Sequence, residues 1–381
     1  MRRLLLAAAT LAAMTPAAAQ DTIKIGLITP LTGPFTTVGQ QMQAAARVYM
    51  QHNGDMVAGK KIELIVRDDG GVPDASKRIA QELIVNDKVA ILAGMGLTPI
   101  SLAVAQVATQ AKVPLVNMGA ATSTIPAASP FIVRTSFAAA QPAVISAEYF
   151  AKSVKSVVTL VSDYAPGIEI ETWFKKGFEA AGGKVVQTMR VPLANPDFSP
   201  FLQRVADAKP EALFIFVPSG QGTTLMRQFV ERGLDKSGIK LLGDGSVLDD
   251  QLLDKIGDAA LGIVSAYHYS DAHPSDLNKK FTADFEKASN GMRANMMGVG
   301  AYDGMAVIYA ALKKLNGATD GTALVEAMKG AAWESPRGPI TIDPATREVV
   351  HNIYLRKVEK VGGRYQNVEF ETYPMVKNPA N

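Results

Sequence analysis

The chain alternates short apolar runs with longer segments of helical periodicity, and this alternation constrains its fold more than any other feature. Strands that alternate with helices of this length predict βαβ units, a parallel sheet and helices on both of its faces. In the first part of the chain the predicted strands are 22–29, 61–67, 89–93 and 114–117, and the predicted helices are 40–52, 74–86 and 102–111.

The same pattern starts again near residue 154, after a second loop. There the predicted strands are 154–161, 184–189, 212–217 and 239–242, and the predicted helices are 169–181, 198–207 and 223–232. Long helices at 274–288 and 301–315 follow, with late strands at 340–342 and 352–358. The 381 residues are enough for two domains of ordinary size. The pattern therefore predicts two α/β halves, with one large doubly wound domain as the alternative.

The N-terminal residues 1–19 have the order of a secretory signal. Arg2 and Arg3 precede an apolar stretch, and small residues at 17–19 supply a cleavage site near Ala19. The apolar stretch is shorter than the roughly 20 residues that span a bilayer. The alternative is an amphipathic N-terminal helix. Because the cleavage site has no cysteine, we expect no lipid anchor of the bacterial lipoprotein kind, and we expect an exported, periplasmic protein with its signal peptide removed.

Catalytic signals are absent from this sequence. It has no cysteine and four histidines without metal-binding spacing, so we expect neither a metal nor a cofactor. The glycine-rich stretches at 94–96, 243–246 and 298–300 lack the phosphate-binding and nucleophile-elbow patterns and read as tight turns. The formal net charge of +3, with no basic run interleaved with aromatics, gives no reason to expect a nucleic-acid partner. The sequence therefore predicts a protein that is not an enzyme.

Hydrogen-bond donors, by contrast, follow several predicted strands. Thr98 follows the third strand and residues 120–123 follow the fourth, while 162–164 and Ser219 follow strands of the second half. Ligands of open parallel sheets bind beyond the carboxyl ends of the strands, and amides at helix starts favour anions. This arrangement suits a bound carboxylate and favours a binding protein.

The chain resembles the periplasmic substrate-binding proteins of ABC transporters, in the branched-chain (Leu/Ile/Val) amino-acid-binding family. Each matching segment alone is moderately specific, but their order and spacing are highly specific. These segments span most of the mature chain: IGLITPLTGPFTTVGQQ (25–41), VRDDGGVPDASKRIAQELI (66–84), VAILAGMGLTPISLAVAQVATQAKVPLVNMGAATS (89–123) and LLGDGSVLDDQLLDKIGDAALGIVSAYHYS (241–270).

The resemblance implies a type I periplasmic binding protein: two doubly wound parallel-sheet α/β lobes, joined by three hinge crossovers that close on a ligand. The crossovers fall near Arg134, His268 and Val350. The implied domains are a signal peptide at 1–19, lobe 1 at 20–134 and 268–350, and lobe 2 at 135–267 and 351–381.

The resemblance also implies the ligand-binding residues. In this family the first lobe holds the ligand carboxylate; Thr98 stands at its Ser/Thr donor position, and the turn Ala120, Ala121 and Thr122 completes the grip. Tyr164 matches an aromatic residue that closes from the second lobe, and Ser219 occupies a cleft position there. A helix cap at Thr98 and an ordinary loop tyrosine at Tyr164 are the structural alternatives.

One departure from the family leaves the ligand class open. Amino-acid-binding members place an acidic residue in the second lobe to pair with the ligand ammonium, and here that position falls on Gly245, with Asp244 one residue away. Asp244 either pairs with an ammonium or caps the turn. The segment resembles members that take aromatic or aliphatic acids, so both ligand classes are kept. Residues 267–269 line the cleft or pack at the hinge.

The resemblance implies a small carboxylate ligand, an ABC permease and ATPase complex as partner, and a monomer that meets the membrane only through the permease. A ligand-sensing receptor or regulator on the same fold is the alternative function. An exported hydrolase is a third, and it requires His268 within hydrogen-bond reach of Ser246 or Ser219.

Overall fold

The computed structural model describes residues 21–381, so the predicted signal peptide lies outside the described residues. Within 21–381, no helix combines the length and the apolar character needed to cross a bilayer. The described chain folds into two α/β lobes, each built on its own sheet.

The first sheet has the strand order β2-β3-β1-β4-β5-β6. All neighbouring strands are parallel except the edge strand β2, which is antiparallel to β3. The strand β1 is buried along most of its length because its β-branched residues lie between helices on both faces. The strands are β1 (Thr22–Thr29), β2 (Met56–Val57), β3 (Lys60–Asp68), β4 (Ile91–Gly94), β5 (Leu115–Asn117) and β6 (Ile132–Arg134).

Six helices cover this first sheet or pack on its helices. The closest helix pairing joins the first helix of the chain, α1, to α10, and α11 packs on α10. They are α1 (Thr36–Asn53), α2 (Pro73–Val85), α3 (Thr98–Ala111), α9 (Asp276–Ala288), α10 (Met296–Lys314) and α11 (Gly321–Met328).

The second sheet contains nine strands of the described chain. Five of them, in the order β11-β10-β9-β7-β8, are parallel, and β12 to β15 extend the sheet with antiparallel pairs. The strands are β7 (Ser156–Ser162), β8 (Lys184–Val191), β9 (Ala212–Phe216), β10 (Lys240–Asp244), β11 (Val264–Tyr267), β12 (Ala332–Ser335), β13 (Gly338–Ile342), β14 (Val349–Val361) and β15 (Arg364–Val376). The helices of this lobe are α4 (Ala140–Phe150), α5 (Ala165–Ala180), α6 (Ser199–Ala208), α7 (Gly222–Glu231) and α8 (Leu253–Ile256).

The chain passes between the lobes three times. It leaves the first sheet after β6, returns after β11 to form α9 to α11, and enters the second sheet again through β12 to β15. The predicted fold class is therefore confirmed. The residue boundaries of the lobes stay a prediction; β12 and β13, which that prediction gives to lobe 1, hydrogen-bond in the second sheet through β14.

Several elements differ from those expected from the sequence. The helix α3 begins at Thr98 rather than at residue 102, because Pro99 suits a first helical turn. The helix α10 begins at Met296 rather than at 301. Gly298 and Gly300 lie inside it rather than in a turn, and a Cβ on Gly300 would stand 2.3 Å from the carbonyl oxygen of Met118. Thus these glycines allow a helix to approach the first sheet closely.

Candidate ligand-binding site

A cavity lies between the lobes, and the space between its walls, including the part open to solvent, is about 400 Å³. Much of its wall comes from segments that directly follow strands of both sheets, which is where open parallel sheets bind ligands. Most of the wall is apolar, and the large apolar side chains are Val38, Leu97, Phe137, Tyr164, Phe216, Met296 and Met297. A lining of this kind suits a ligand with an apolar body.

Two threonine hydroxyls form a polar corner on the first-lobe side. Thr98 lines the cavity, and its Oγ1 lies 2.8 Å from Oγ1 of Thr122, with both residues buried. The N-cap residue Leu97 makes no side-chain hydrogen bond to the start of α3, so the N-cap side chain leaves the first amides of this helix uncapped. Hydroxyls and uncapped amides at a helix start favour an anionic group.

The three residues of the turn at 120–122 contribute differently to this corner. The N–H group of Ala120 already donates to the Met95 carbonyl at 2.9 Å and to Oδ1 of Asn117 at 3.1 Å. Within residues 21–381, the N–H groups of Ala121 and Thr122 have no acceptor. Ala120 therefore forms part of the cavity wall, whereas the N–H groups of Ala121 and Thr122 remain available to donate hydrogen bonds to a ligand.

A buried arginine holds this turn in place. Nη1 of Arg134 donates to the carbonyl of Thr122 at 2.8 Å, and the same guanidinium forms an ion pair with Glu348. Both side chains are almost completely buried. Because the pair is buried and hydrogen-bonded, it fixes the turn behind the polar corner.

On the second-lobe side, aromatic rings face the cavity. Tyr164 precedes α5 as its N-cap residue, and its ring stacks on Phe216 with centroids 6.1 Å apart and an interplanar angle of 20°. Burial, with a smaller contribution from the Asp244 charge, raises the pKa of Tyr164, so its hydroxyl stays protonated. The two rings give the second-lobe side of the cavity an aromatic wall.

Ser219 lines the cavity and belongs to a buried polar cluster that joins the lobes. Its hydroxyl donates to Asp249, and Nδ2 of Asn295 donates to Oγ of Ser219 at 3.1 Å and to Oδ2 of Asp249 at 2.8 Å. Burial raises the pKa of Asp249, while these hydrogen bonds oppose the shift. Asn295 comes from the start of α10 and Asp249 from the second lobe, so the cluster forms where the lobes meet.

Asp244 ends β10 directly behind the second-lobe wall. Its Oδ1 accepts hydrogen bonds from the amide of Ser246, at 2.8 Å, and from the Ser246 hydroxyl. Its Oδ2 is buried and has no hydrogen-bond partner among the described residues. Burial raises the pKa of Asp244 to about 6, although the Ser246 hydrogen bonds and the Arg356 charge lower it.

Gly245 is enclosed by packing. A Cβ on this glycine would lie 2.3 Å from Cγ of Tyr267 and 2.5 Å from Nη2 of Arg356. The side chain at the position where amino-acid-binding members carry an acid is therefore excluded here. Of the segment 244–246, Ser246 lines the cavity, and Asp244 and Gly245 lie behind it.

The residues at 267–269 pack at the second crossover rather than lining the cavity. Tyr267 contacts the cavity residue Phe137 edge to face at 5.4 Å, and His268 stacks on Phe137 at 4.6 Å. Neither ring nitrogen of His268 has a hydrogen-bond partner within 21–381, and burial lowers its pKa, so the ring is neutral. The His268–Ser contact that a hydrolase requires is not formed. Among the described residues, no group of His, Asp and Glu has the arrangement of a metal site.

The cavity includes residues that the sequence did not single out. Met296 and Met297 form the first turn of α10, and the Asn295 side chain caps that turn. Asparagine directly before an apolar run is an N-cap signal that could have placed the helix start here. Phe137 lies between β6 and α4 without any local motif, so its place depends on the first crossover.

Three comparisons with known proteins agree with this geometry. The model of the periplasmic binding protein family matches residues 22–363. A Leu/Ile/Val-binding protein homolog of Brucella melitensis is 41% identical over 388 residues, which covers 100% of this chain and 99% of the relative.

Two solved structures are similar along nearly the whole chain. A solute-binding protein of an ABC transporter from Rhodopseudomonas palustris BisB5, in complex with 3,4-dihydroxybenzoic acid, has 56% identity and a TM-score of 0.93, covering 95% of this chain and 99% of that one. A solute-binding protein from Rhodopseudomonas palustris HaA2, in complex with p-hydroxybenzoic acid, has 41% identity and a TM-score of 0.91, covering 94% and 99%. The family resemblance in the sequence is thereby confirmed: the chain belongs to the periplasmic binding protein family.

Proposed function

We propose that this protein binds a small aromatic carboxylate in the periplasm and delivers it to an ABC importer. It does so as a monomer, without catalysis, and with its signal peptide removed near Ala19. The carboxylate binds at the first-lobe corner formed by Thr98, Thr122 and the amide of Ala121. The aromatic ring lies between the apolar walls, against Tyr164.

The observation that carries this proposal is the distribution of polar groups around the cavity. None of the described residues that line it is acidic, and the polar ones are hydroxyl-bearing. An amino-acid ligand needs a partner for its ammonium, since an unpaired buried charge is strongly unfavourable. A plain carboxylate with an apolar body has no such need. The two solved relatives with hydroxybenzoic acids support the same ligand class.

Lobe closure gives this site its function. The cavity wall takes residues from both lobes, so a ligand bound between them stabilises the closed form and is shielded from water. The closed form is the shape that a permease can distinguish from the empty, open protein.

The test is calorimetric titration of the mature protein with benzoates, aliphatic acids, leucine and valine. We expect binding of benzoates and none of the two amino acids. The variant Thr122→Ala is expected to weaken benzoate binding by about 1–3 kcal/mol, because it removes a hydroxyl from the carboxylate corner.

Ser101→Ala is the matched control. Ser101 lies in the same helix as Thr98, is buried, and its hydroxyl has no partner among the described residues. Its removal should leave affinity unchanged. Binding of leucine without binding of any aromatic acid, or equal affinity of Thr122→Ala and the unaltered protein, contradicts the proposal.

A further inference from the structure

A hydrogen-bond network crosses between the lobes at Ser123. This residue directly follows the polar corner of the first lobe, and Glu169 meets it from α5 of the second lobe. The Ser123 amide donates to one oxygen of Glu169 at 2.9 Å, and its hydroxyl contacts the other oxygen. The same hydroxyl lies 3.1 Å from Oδ1 of Asn378, in the segment after β15. Among the described residues, Oγ of Ser123 thus has two side-chain oxygen neighbours.

The orientation of the Asn378 side chain is fixed by its other contacts. Its Nδ2 donates to the Glu348 carboxylate at 3.1 Å, and its Oδ1 accepts from the Ala380 amide at 3.1 Å. The Glu348 carboxylate is ion-paired with Arg134, so it offers only acceptors. The atom of Asn378 that faces Ser123 is therefore its acceptor oxygen and not its NH₂ group.

A hydroxyl group has a single hydrogen, so Ser123 cannot donate to both neighbours at once. While Glu169 is ionised, the hydroxyl donates to its carboxylate, and two acceptor oxygens then meet at the contact with Asn378 without a hydrogen between them. A proton on Glu169 removes this conflict, because the carboxyl group then donates to Oγ of Ser123 and the hydroxyl turns to Asn378. The contact between the lobes thus gains a hydrogen bond when Glu169 is protonated.

From this donor count we infer that the protein takes up a proton at Glu169 when its lobes close on a ligand, so that ligand binding tightens as the pH falls. This inference rests on the proposed function, because it needs closure around a ligand, and it adds a regulation of that closure by pH. Glu169 and Ser123 belong to different lobes, so the contact that holds the proton exists only in the closed form.

The charges around Glu169 agree with this direction. Burial raises the pKa of Glu169, and the Glu348 charge adds to the rise. The Ser123 hydrogen bonds and the Arg134 charge lower the pKa, but the net shift is upward. Because Arg134 and Glu348 are ion-paired with each other, neither charge acts on Glu169 unopposed.

Other charges on the surrounding elements are paired elsewhere. The turn 120–125 carries no charged side chain. On the C-terminal segment, Lys377 pairs with Asp343 at 3.2 Å, and on α5, Glu171 pairs with Arg190 at 2.9 Å. The proton at this contact is therefore assigned to Glu169.

Thermodynamic linkage gives the direction and the size of the effect. A carboxyl group whose pKa is higher in the closed form binds its proton more tightly there, so a fall in pH favours closure, and the gain is lost as the pH rises through the raised pKa. A single proton limits the change in affinity to tenfold per pH unit, so between pH 8 and pH 5.5 we expect affinity to rise about 3- to 30-fold.

The experiment counts protons as well as measuring affinity. The unaltered mature protein is titrated calorimetrically with 4-hydroxybenzoate and with leucine at pH 8 and pH 5.5, and at pH 6 in phosphate and in a buffer of high ionisation enthalpy. The difference between the two buffers gives the number of protons bound per ligand. Proton uptake with tighter binding at pH 5.5 supports the inference.

The other outcomes separate the inference from the proposed function. Binding of 4-hydroxybenzoate without proton uptake and with equal affinity at both pH values overturns the inference and leaves the proposed function standing. Binding of leucine alone overturns the proposed function, and the proton count with leucine then decides the inference. Binding of neither compound overturns both.

A pair of isosteric variants identifies the group that takes up the proton. In Glu169→Gln the side-chain NH₂ group donates to Ser123 at any pH, so proton uptake should be lost and the ratio of the affinities at pH 5.5 and pH 8 should fall to about 1. Glu179→Gln, with an exposed carboxylate on the same helix, is the control and should keep both effects. Unchanged proton uptake in Glu169→Gln overturns the assignment, and the proton count on the unaltered protein decides the inference if either variant fails to fold.

Discussion

At the scale of single residues, the absence of a side chain at position 245 shapes the second-lobe wall. Tyr267 and Arg356 fill the space that a Cβ would need, and the Arg356 guanidinium lies over the Tyr267 ring at 5.0 Å. The phenol of Tyr267 in turn contacts Met296, which lines the cavity. A change at Gly245 would therefore disturb the packing of Tyr267 against Met296 in the cavity wall.

We expect Gly245→Ala to lower the stability of the protein by about 1–3 kcal/mol and to reduce ligand binding, because the new methyl group forces Tyr267 or Arg356 to move. Thermal melting and calorimetry measure the two effects. Gly243→Ala is the control in the same segment, since its Cβ would meet only Val247, at 3.9 Å, in ordinary contact. Equal tolerance of both substitutions would contradict this account.

Residues that follow strand ends were predictable from the sequence, and residues placed by the crossovers were not. Thr98 and Ala121 come after β4 and β5, so the rule for open sheets locates them. The ring of Phe137 reaches the cavity only because the chain turns there towards the second lobe. The sequence also could not predict that the Ala120 N–H group is already hydrogen-bonded, because its acceptors are set by the local turn.

At the scale of elements, the start of α10 connects the two lobes beside the cavity. Oδ1 of Asn295 accepts hydrogen bonds from the amides of Met297, at 2.9 Å, and Gly298, while its Nδ2 donates to Asp249 in the other lobe. The Asn295 side chain thus caps α10 and also donates a hydrogen bond to the buried carboxylate of Asp249.

Asn295→Ala removes both roles. We expect a loss of about 2–4 kcal/mol, of which a helix cap accounts for about 1 and the hydrogen bond lost to the buried Asp249 carboxylate for the rest. Chemical denaturation of the ligand-free protein measures it. Asp320→Ala is the control, because Asp320 is an exposed N-cap of α11 that accepts from Ala323 at 2.8 Å and should lose about 1 kcal/mol. Equal losses would show that Asn295 acts as a cap only.

The βαβ units were predictable because their strands are apolar and their helices periodic. Of the hairpin formed by β14 and β15, only β14 was predicted from the sequence. β15 (RYQNVEFETYPMV) is largely solvent-accessible and polar, so hydrophobicity gives no strand signal, although Gly362-Gly363 is a typical hairpin turn. The helix α4 is not predicted from the sequence; it contains Pro142 and packs on α5.

At the scale of the whole molecule, closure depends on contacts between lobes as well as on the ligand. Gln41 of α1 donates to Gln251 of the second lobe at 2.7 Å, and Asn295 meets Asp249 nearby. Elsewhere along the lobe interface, the amide of Ser123 donates to Glu169 of α5 at 2.9 Å, and the Ser123 hydroxyl donates to the same carboxylate. Such contacts form only when the lobes come together, so they add to the stability of the closed form without touching the ligand.

Glu169→Ala is therefore expected to speed ligand dissociation about 5- to 30-fold, corresponding to about 1–2 kcal/mol lost from the closed form. Burial raises the pKa of Glu169 and offsets part of the gain from its two hydrogen bonds with Ser123, which is why the expected loss is modest. Stopped-flow fluorescence gives the dissociation rate. The control is Glu179→Ala, on the same helix, whose carboxylate is 44% exposed and, within residues 21–381, pairs with Lys175 at 4.0 Å, so its rate should not change. Equal dissociation rates for Glu169→Ala and the unaltered protein would mean that the contact between Ser123 and Glu169 does not hold the lobes closed.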